Sequence, residues 1–217
     1  MRAPTQKRGE ITRDRLLDEA ELLFALHGFD GVSIRDITKA AGVDVALANY
    51  HFGSKDKLFD AVFQRRAESM NARRIVLLED VLERYAPGLP PLEDVIGAFT
   101  WPVAEIMIEG GDGGRAYGRL VAQVNNSPKL AQVGMTRYFD PVVRRFMEVL
   151  RAVLPGCREE ELFWSYHFLS GALTLSMAET GRLDRLSDGR CRSDDLKAIF
   201  ARMVPFCAAG FRALCKA

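Results

Sequence analysis

The segment of residues 33–59 constrains the fold more than any other part of the chain. Ser33 directly precedes an apolar-periodic segment, and Asp36 follows it at the spacing of a capping box. Gly42 ends that helix, because glycine adopts the left-handed conformation without a steric penalty. The sequence therefore predicts a short helix that stops at a sharp turn.

A second short helix follows this turn at once. Asp44 is its predicted N-cap, it runs over residues 45–51, and Ser54 caps a third helix that begins at Lys55. Two helices joined by a glycine-containing turn form a helix-turn-helix, whose second helix normally enters the major groove of DNA. Ordinary helical hairpins share this spacing, so the residue types have to supply the specificity.

The composition is that of an ordinary globular protein and argues against a general polyanion binder. The 217 residues are 48% hydrophobic and 27% charged, with a formal net charge of +1. A protein that binds nucleic acid through bulk charge alone carries a larger basic excess. The local basic excess lies in residues 1–9, where Arg2, Lys7 and Arg8 predict a short flexible arm.

The cysteines and the apolar segments predict no metal site, no cofactor and no membrane anchor. Cys157, Cys191, Cys207 and Cys215 show no C-x-x-C spacing, so neither a zinc site nor a disulfide framework is expected. No apolar run is suited to a signal peptide or reaches the length of a membrane span. We therefore expect a cytoplasmic protein with reduced thiols.

The remainder of the chain is predicted to be helical, with no convincing strand. A helix of residues 55–85 is long enough to be shared between two bodies. Residues 92–109 form the next helix, kinked or split at Pro102, and the glycines of residues 110–114 form a flexible turn. Further helices are expected at residues 10–28, 117–125, 129–133, 136–154, 159–180 and 194–214.

Two parts of the chain resemble a known family of regulators. Residues 10–63 resemble the DNA-binding domain of the TetR family, most specifically in the string from Asn49 to Lys55. The C-terminal half resembles the PsrA branch, regulators that respond to long-chain fatty acids, in Glu160-Glu161-Leu162-Phe163-Trp164, His167-Phe168, Ser176-Met177, Met203-Val204-Pro205-Phe206 and Ala208-Ala209-Gly210. The resemblance implies an all-α fold with a three-helix helix-turn-helix DNA-binding domain at residues 9–58 and a helical ligand-binding and dimerisation domain at residues 59–217.

The predicted contacts with DNA either position the protein on the phosphate backbone or read the base sequence. Helix N-termini and side-chain donors hold phosphates, whereas an amide can pair with adenine and aliphatic groups can touch thymine methyls. The candidate residues are Ser33, Arg35, Asp44, Val45, Ala46, Leu47, Asn49, Tyr50, His51 and Lys55. The alternative is core packing, which does not suit Lys55 and applies to Leu47, Tyr50, His51 and Phe52.

Residues 92–217 contain no catalytic motif, so the chain is predicted not to be an enzyme. The glycine run lacks a preceding strand and the spacing of a phosphate loop. Large apolar and aromatic residues fill a core or, as the family implies, line an apolar cavity. The candidate ligand-binding residues are Trp101, Met107, Tyr117, Arg119, Leu120, Val124, Phe139, Phe146, Trp164, His167, Phe168 and Gly171. Tyr117, Arg119 and His167 are the candidates for an acidic head group, although Arg119 fits a solvated surface charge equally well.

The last two long helices are apolar on more than one face. In the family that the chain resembles, the equivalent helices of two subunits form a four-helix dimer interface. The candidate interface residues are Leu162, Phe163, Tyr166, Leu169, Leu173, Met203, Phe206 and Phe211. A twofold dimer would present its two recognition helices about 34–36 Å apart, one turn of DNA.

Together these patterns predict a homodimeric transcriptional repressor released from a palindromic operator by a small hydrophobic, fatty-acid-like effector. A TetR-like activator or dual regulator would have the same sequence features. Two rival hypotheses of a different class are a small-molecule carrier or enzyme with a vestigial DNA-binding domain, and a non-specific nucleoid protein. The intact string from Asn49 to Lys55 argues against a vestigial domain.

Overall fold

The computed structural model describes the backbone of residues 4–215 and the side chains of residues 9–131 and 134–215. Within those residues the chain is all-α, with no strand, as the sequence predicts. The helices are α1 (Pro4–His27), α2 (Ile34–Ala41), α3 (Val45–Phe52), α4 (Lys55–Tyr85), α5 (Leu92–Glu109), α6 (Gly111–Asn125), α7 (Pro128–Tyr138), α8 (Asp140–Val153), α9 (Glu159–Met177), α10 (Arg182–Leu186) and α11 (Leu196–Leu214).

The N-terminal helices form around the caps that the sequence indicates. Asp36 and Ser33 make the reciprocal bonds of a capping box at the start of α2, and Gly42 ends that helix with φ 62°. Asp44 caps α3, and Ser54 caps α4. The buried side chains between α1, α2, α3 and α4 are Leu16, Leu17, Phe24, Ile37, Ala48 and Leu58.

Several helix boundaries differ from the sequence-based expectation, and α10 was not expected. α1 already begins at Pro4, so backbone expected in a flexible arm is helical. Arg2 and the side chains of Lys7 and Arg8 lie outside the described residues. The helix expected at residues 136–154 is interrupted at Phe139, where α7 ends and α8 begins.

The glycines between α5 and α6 allow the two helices to lie close together. An added Cβ at Gly114 would lie 2.0 Å from the carbonyl oxygen of Ile106, and one at Gly118 would lie 2.8 Å from Met107 Sδ. These glycines therefore belong to the face of α6 that meets α5, and α6 begins at Gly111. The expected flexible turn over residues 110–114 was wrong, because the glycines serve close packing.

A buried carboxylate on α1 joins the N-terminal helices to α4. Glu21 is only 1% exposed and accepts hydrogen bonds from Arg65 Nη2 at 3.0 Å and Arg66 Nε at 2.7 Å. These bonds raise the pKa of the Arg66 guanidinium. Gln123 on α6 also donates to the carbonyl oxygen of Ala25 on α1 at 2.7 Å. Helix α1 is therefore held by both α4 and α6.

A disulfide bond links two segments of the C-terminal half. Cys157, in the loop before α9, is bonded to Cys215 at the end of α11. The expectation of reduced thiols is wrong for this pair, while Cys191 and Cys207 carry free thiols. Sequence spacing did not indicate the pair, because its two cysteines lie 58 residues apart.

Replacing Glu21 with alanine should lower the free energy of unfolding by about 2–3 kcal/mol, because two arginines then lose a buried partner. Asp18→Ala is the matched control, since Asp18 binds the same Arg65 but is 64% exposed. Such a surface pair contributes about 0–1 kcal/mol. Urea unfolding of both variants measures the difference, and equal effects would contradict a structural role for the buried carboxylate.

Candidate DNA-binding face and central cavity

Helix α3 directs a continuous set of its predicted DNA contacts to solvent. Tyr50 is 82% exposed, and Leu47 and Val45 are also exposed. Asn49 and Ala46 lie on the exposed side as well. A helix with this exposed face has the geometry that reads a major groove.

The opposite side of α3 faces the core of the N-terminal helices. Ala48 and Phe52 are buried there. His51 is half-buried, and its ring centroid lies 5.2 Å from that of Tyr50. The alternative of core packing therefore holds for Phe52 and does not hold for Leu47 or Tyr50.

The N-terminus of α2 already carries a negative group. Asp36 accepts a bond from the Ser33 backbone N–H at 2.9 Å, and its carboxylate also accepts from the Ser33 hydroxyl at 2.6 Å. These bonds lower the pKa of Asp36, so the helix end holds its own anion. At α3, Asp44 accepts from the backbone N–H of Ala46 at 2.7 Å. At both helix ends the cap carboxylate occupies backbone N–H groups that were predicted to bind a phosphate. Arg35, in the first turn of α2, is exposed.

Lys55 has a different partner from the one that its sequence position suggests. Its ammonium donates to the carbonyl oxygens of Phe29 and Val32, both at 3.0 Å. The same nitrogen lies 4.2 Å from the centroid of the Phe29 ring. Lys55 thus ties the start of α4 to the turn between α1 and α2. Because an ammonium has three donors and two are used here, one donor remains for the phosphate contact, which stays a prediction.

A central cavity lies among α4, α5, α6, α7, α8 and α9. It consists of an inner chamber of about 40 Å³ and an adjoining vestibule of about 550 Å³. The residues that line both are Asn125, Met135, Phe139, Tyr166, Ser170 and Thr174. The inner chamber also reaches Met70 and Arg74, and the vestibule reaches Asp140, His167 and Gly171. The lining of the inner chamber is mostly apolar with a few polar groups, as in small-molecule sites, whereas about half of the residues that line the vestibule are polar.

The inner chamber contains a buried arginine that sequence reasoning missed. Arg74 is 4% exposed, and its Nε donates to the carbonyl oxygen of Phe99 at 2.8 Å. Burial lowers its pKa to about 10. One signal was available in the sequence: Arg74 lies four residues from both Met70 and Leu78, on the apolar stripe of α4. A charge in phase with a buried stripe indicates a buried charge, whose partner has to be sought in the structure.

Two of the residues proposed for an acidic head group already have partners. Arg119 and Arg115 both bind the carboxylate of Glu179, at 3.1 Å for Arg119 Nη1. Tyr117 is buried in the core, donates to the carbonyl oxygen of Phe63 at 3.4 Å, and has its pKa raised by burial. Neither Arg119 nor Tyr117 lines the central cavity. His167 does line the vestibule.

The other predicted ligand residues fall into three places. Phe139 and Gly171 line the central cavity, and their role in binding stays a prediction. Those that instead fill the core away from the cavity are Met107, Leu120, Val124 and Phe146. Those that are exposed on the outside are Trp101, Trp164 and Phe168. Size and aromaticity did not distinguish these places, because core, cavity and interface all favour large apolar residues.

The outer face of α9 and α11 exposes large apolar side chains. Phe206 is 76% exposed, and Phe163, Trp164 and Phe168 are each exposed by about half. We call these four residues the aromatic face. The other residues predicted for the interface turn inward: Tyr166 lines the central cavity, and the members buried within the protomer are Leu162, Leu169, Leu173, Met203 and Phe211. Trp164 and Phe168, assigned to the ligand from sequence, belong to this face. Among the described residues, no helix has the length and apolar character needed to cross a membrane.

Two family profiles match the chain. The profile described as bacterial regulatory proteins of the tetR family covers residues 16–62, and the one described as the tetracyclin repressor-like C-terminal domain covers residues 97–210. Their matches fall on the helix-turn-helix and on the helices that surround the central cavity.

Individual proteins show more distant similarity. The biofilm operon icaADBC HTH-type negative transcriptional regulator IcaR of Staphylococcus aureus is 24% identical over 117 residues, 54% of this chain and 55% of that protein. The HTH-type transcriptional repressor AcnR of Corynebacterium efficiens is 35% identical over 83 residues, 34% of this chain and 44% of that protein. The chain thus spans about half the length of the curated relatives it matches. The crystal structure of HlyIIR, a hemolysin II transcriptional regulator, shares the fold with a TM-score of 0.57 at 20% identity, covering 89% of this chain and 97% of that one.

Lys55→Met should destabilise the N-terminal helices by about 1–2 kcal/mol, because two backbone carbonyls lose a charged donor. Lys57→Met is the matched control, since Lys57 is exposed on the same turn of α4. Thermal unfolding and the salt dependence of DNA binding should be measured together. A fall in the salt slope by about one without loss of stability would instead assign Lys55 to a phosphate.

Proposed function

The chain belongs to the TetR family of bacterial regulatory proteins, and from that premise we propose that it is a homodimeric transcriptional repressor. It acts in the cytoplasm on a palindromic DNA operator and leaves that operator when a small hydrophobic effector binds. The observation that carries this proposal is the exposed face of α3, with Tyr50 82% exposed next to Asn49. Large exposed side chains on a recognition helix have no role in the core and suit contact with DNA.

The aromatic face supports the dimer. Monomeric proteins rarely expose a contiguous patch of large apolar groups, and such a patch usually marks an interface. Phe206 lies on α11 while Phe163 and Phe168 lie on α9, so a second copy related by twofold symmetry would form a four-helix interface. That dimer presents two α3 helices to successive major grooves, whose half-sites are about 34–36 Å apart.

The central cavity supports the effector. It is bordered by α4, whose first residue Lys55 ties to the turn before α2, and by α6, whose Gln123 binds α1. An effector that favours one position of α4 and α6 therefore acts on the helices that carry the helix-turn-helix. Repression ends by a population shift toward a dimer whose α3 helices no longer match the two grooves. The resemblance to the fatty-acid-responsive branch favours an effector with a long apolar chain.

Selection from random duplex DNA should recover a palindrome, and Asn49→Ala should relax the preference at one base pair by about 1–3 kcal/mol. Lys197→Ala, exposed on α11, is the control for a lost side chain outside the helix-turn-helix. Fluorescence anisotropy on selected and scrambled duplexes measures both. Recovery of no palindrome would refute the repressor proposal, and an equal loss on every sequence would reduce Asn49 to a backbone contact.

Phe206→Asp should dissociate the dimer, because a charge would be buried at the centre of the proposed interface. Leu26→Asp is the matched control: Leu26 is 73% exposed on α1, away from the aromatic face. Sedimentation equilibrium at micromolar protein should give a monomer for the first variant and a dimer for the second. A Phe206→Asp variant that remains dimeric would show that another face forms the contact.

A further inference from the structure

We propose that Arg74 is the anion anchor of the central cavity, so that the effector is a free carboxylic acid that enters with its carboxylate foremost. The acid group would lie in the inner chamber against the guanidinium, and the apolar part would remain in the vestibule. This inference rests on the proposed function only in taking the central cavity as the effector site.

The Arg74 charge has no counter-ion in the part of the protein that the structure describes. Its Nε binds the carbonyl oxygen of Phe99 at 2.8 Å and its Nη1 binds Asn71 Oδ1 at 3.2 Å, both neutral acceptors. Among the described residues no carboxylate forms an ion pair with it, and Nη2 has no hydrogen-bond partner. An arginine presents five N–H donors in a planar fork that matches a carboxylate, so donors remain for a ligand.

Other buried charges of the protein are paired with charges of opposite sign. Glu21 is also buried and is matched by two arginines, Arg65 and Arg66. Glu179 is likewise paired with both Arg115 and Arg119. A buried charge without a partner is costly, because desolvation is not offset by an opposite charge. Burial indeed lowers the pKa of Arg74 to about 10, which still leaves it charged near neutral pH. A cationic site that the protein leaves open suits an anionic ligand.

The position of Arg74 is held firmly enough to act as an anchor. Its guanidinium stacks over the Phe99 ring at 4.2 Å, and Asn71, which accepts from Nη1, itself donates to the carbonyl oxygen of Tyr138 at 2.6 Å. Such contacts fix the plane of the fork while leaving its charge uncompensated. A pre-oriented fork loses little conformational entropy when it binds a carboxylate.

The shape of the cavity sets the direction of entry. The inner chamber next to Arg74 holds about 40 Å³, which is room for only a few waters and suits a carboxylate better than a chain. The vestibule of about 550 Å³ is lined by apolar residues such as Met135 and Phe139 and by polar residues such as His167, and it has the room that the apolar part needs. The reverse orientation would leave the acid in the vestibule and the Arg74 guanidinium, which lines the inner chamber, without a counter-ion.

This orientation distinguishes a free acid from its derivatives. A coenzyme A thioester carries no charge at the acyl carbonyl and bears a bulky group where the inner chamber is smallest. A primary alcohol fits the chamber but does not neutralise Arg74. The structure thus assigns the cavity to monocarboxylates with an apolar body, and not to the thioesters or alcohols of the same chain.

The test is calorimetric titration of the purified dimer with decanoate, 1-decanol and decanoyl-coenzyme A. Decanoate should bind at least 10-fold tighter than the alcohol, and the thioester should give no heat of binding. Arg74→Met should weaken the affinity for decanoate roughly 10- to 100-fold, the usual range for a lost charged hydrogen bond. The affinity for the alcohol should change less than about threefold. Arg74→Lys keeps the charge without the guanidinium fork, and its affinity for decanoate should lie between those of the wild type and Arg74→Met.

Controls separate this role from a structural one. Arg74→Met should unfold at a temperature no lower than the wild type, because it removes an unpaired buried charge and keeps an apolar side chain. Arg119→Met tests the rival arginine, which is already paired with Glu179, and should leave decanoate affinity unchanged. Equal affinity for acid and alcohol, or a loss seen only in Arg119→Met, would overturn the anchor.

The same samples separate the anchor from the proposed function. Operator release is followed by anisotropy with decanoate added to the protein–DNA complex. Binding of decanoate through Arg74 without release would overturn the effector part of the proposed function and support the anchor. Release by decanoate that persists undiminished in Arg74→Met would support the effector role and overturn the anchor.

Discussion

The burial of Glu21 against α4 is the interaction on which the arrangement of the two halves depends. A three-helix DNA-binding unit has a small core, so α1 has to gain partners beyond α2 and α3. It gains them through the ion pairs of Glu21 with Arg65 and Arg66, and through Gln123 of α6. An added Cβ at Gly113 would lie 2.6 Å from Arg66 Nη2, so α6 also packs directly on this ion pair. The position of α1 is thus set by the same helices that enclose the central cavity.

This arrangement would connect the proposed effector site to the helix-turn-helix. Arg74 and Arg66 lie on one continuous helix, two turns apart, and the second is bonded to α1. A ligand that neutralises Arg74 would change the balance of forces on α4 at the point where the protein leaves a charge uncompensated. Because packed helices shift as units, the proposed mechanism requires that a small change there move the helix-turn-helix as a body. Lys55 strengthens that coupling, since it holds the first turn of α4 to the turn before α2.

The residues predicted to bind DNA fall into two groups: some hold the N-terminal helices together, and others are exposed on α3. Hydrogen bonds that cap helices or hold turns are made by Ser33, Asp36, Asp44 and Lys55. Val45, Leu47, Asn49 and Tyr50 stand outside that set and are exposed. A short helix needs such caps because its end groups otherwise lack partners, and the caps leave the middle of α3 free for recognition. A polar residue in the string from Asn49 to Lys55 is therefore not by itself evidence of contact with DNA.

The sequence alone determined most of the helices, the caps of α2, α3 and α4, and the helix-turn-helix, because these depend on residues three or four apart in the chain. Its errors at helix boundaries, such as the glycines of residues 110–114, arose where α5 approaches α6 closely and local pattern carries no information about that approach. Only the tertiary structure decided which charges are paired and which are open. Lys55 bonds to a carbonyl 26 residues away, Arg119 to a carboxylate 60 residues away, and Arg74 to a carbonyl 25 residues away with no acid beside it among the described residues. Partners so distant are brought together by packing, and periodicity along the chain does not record them.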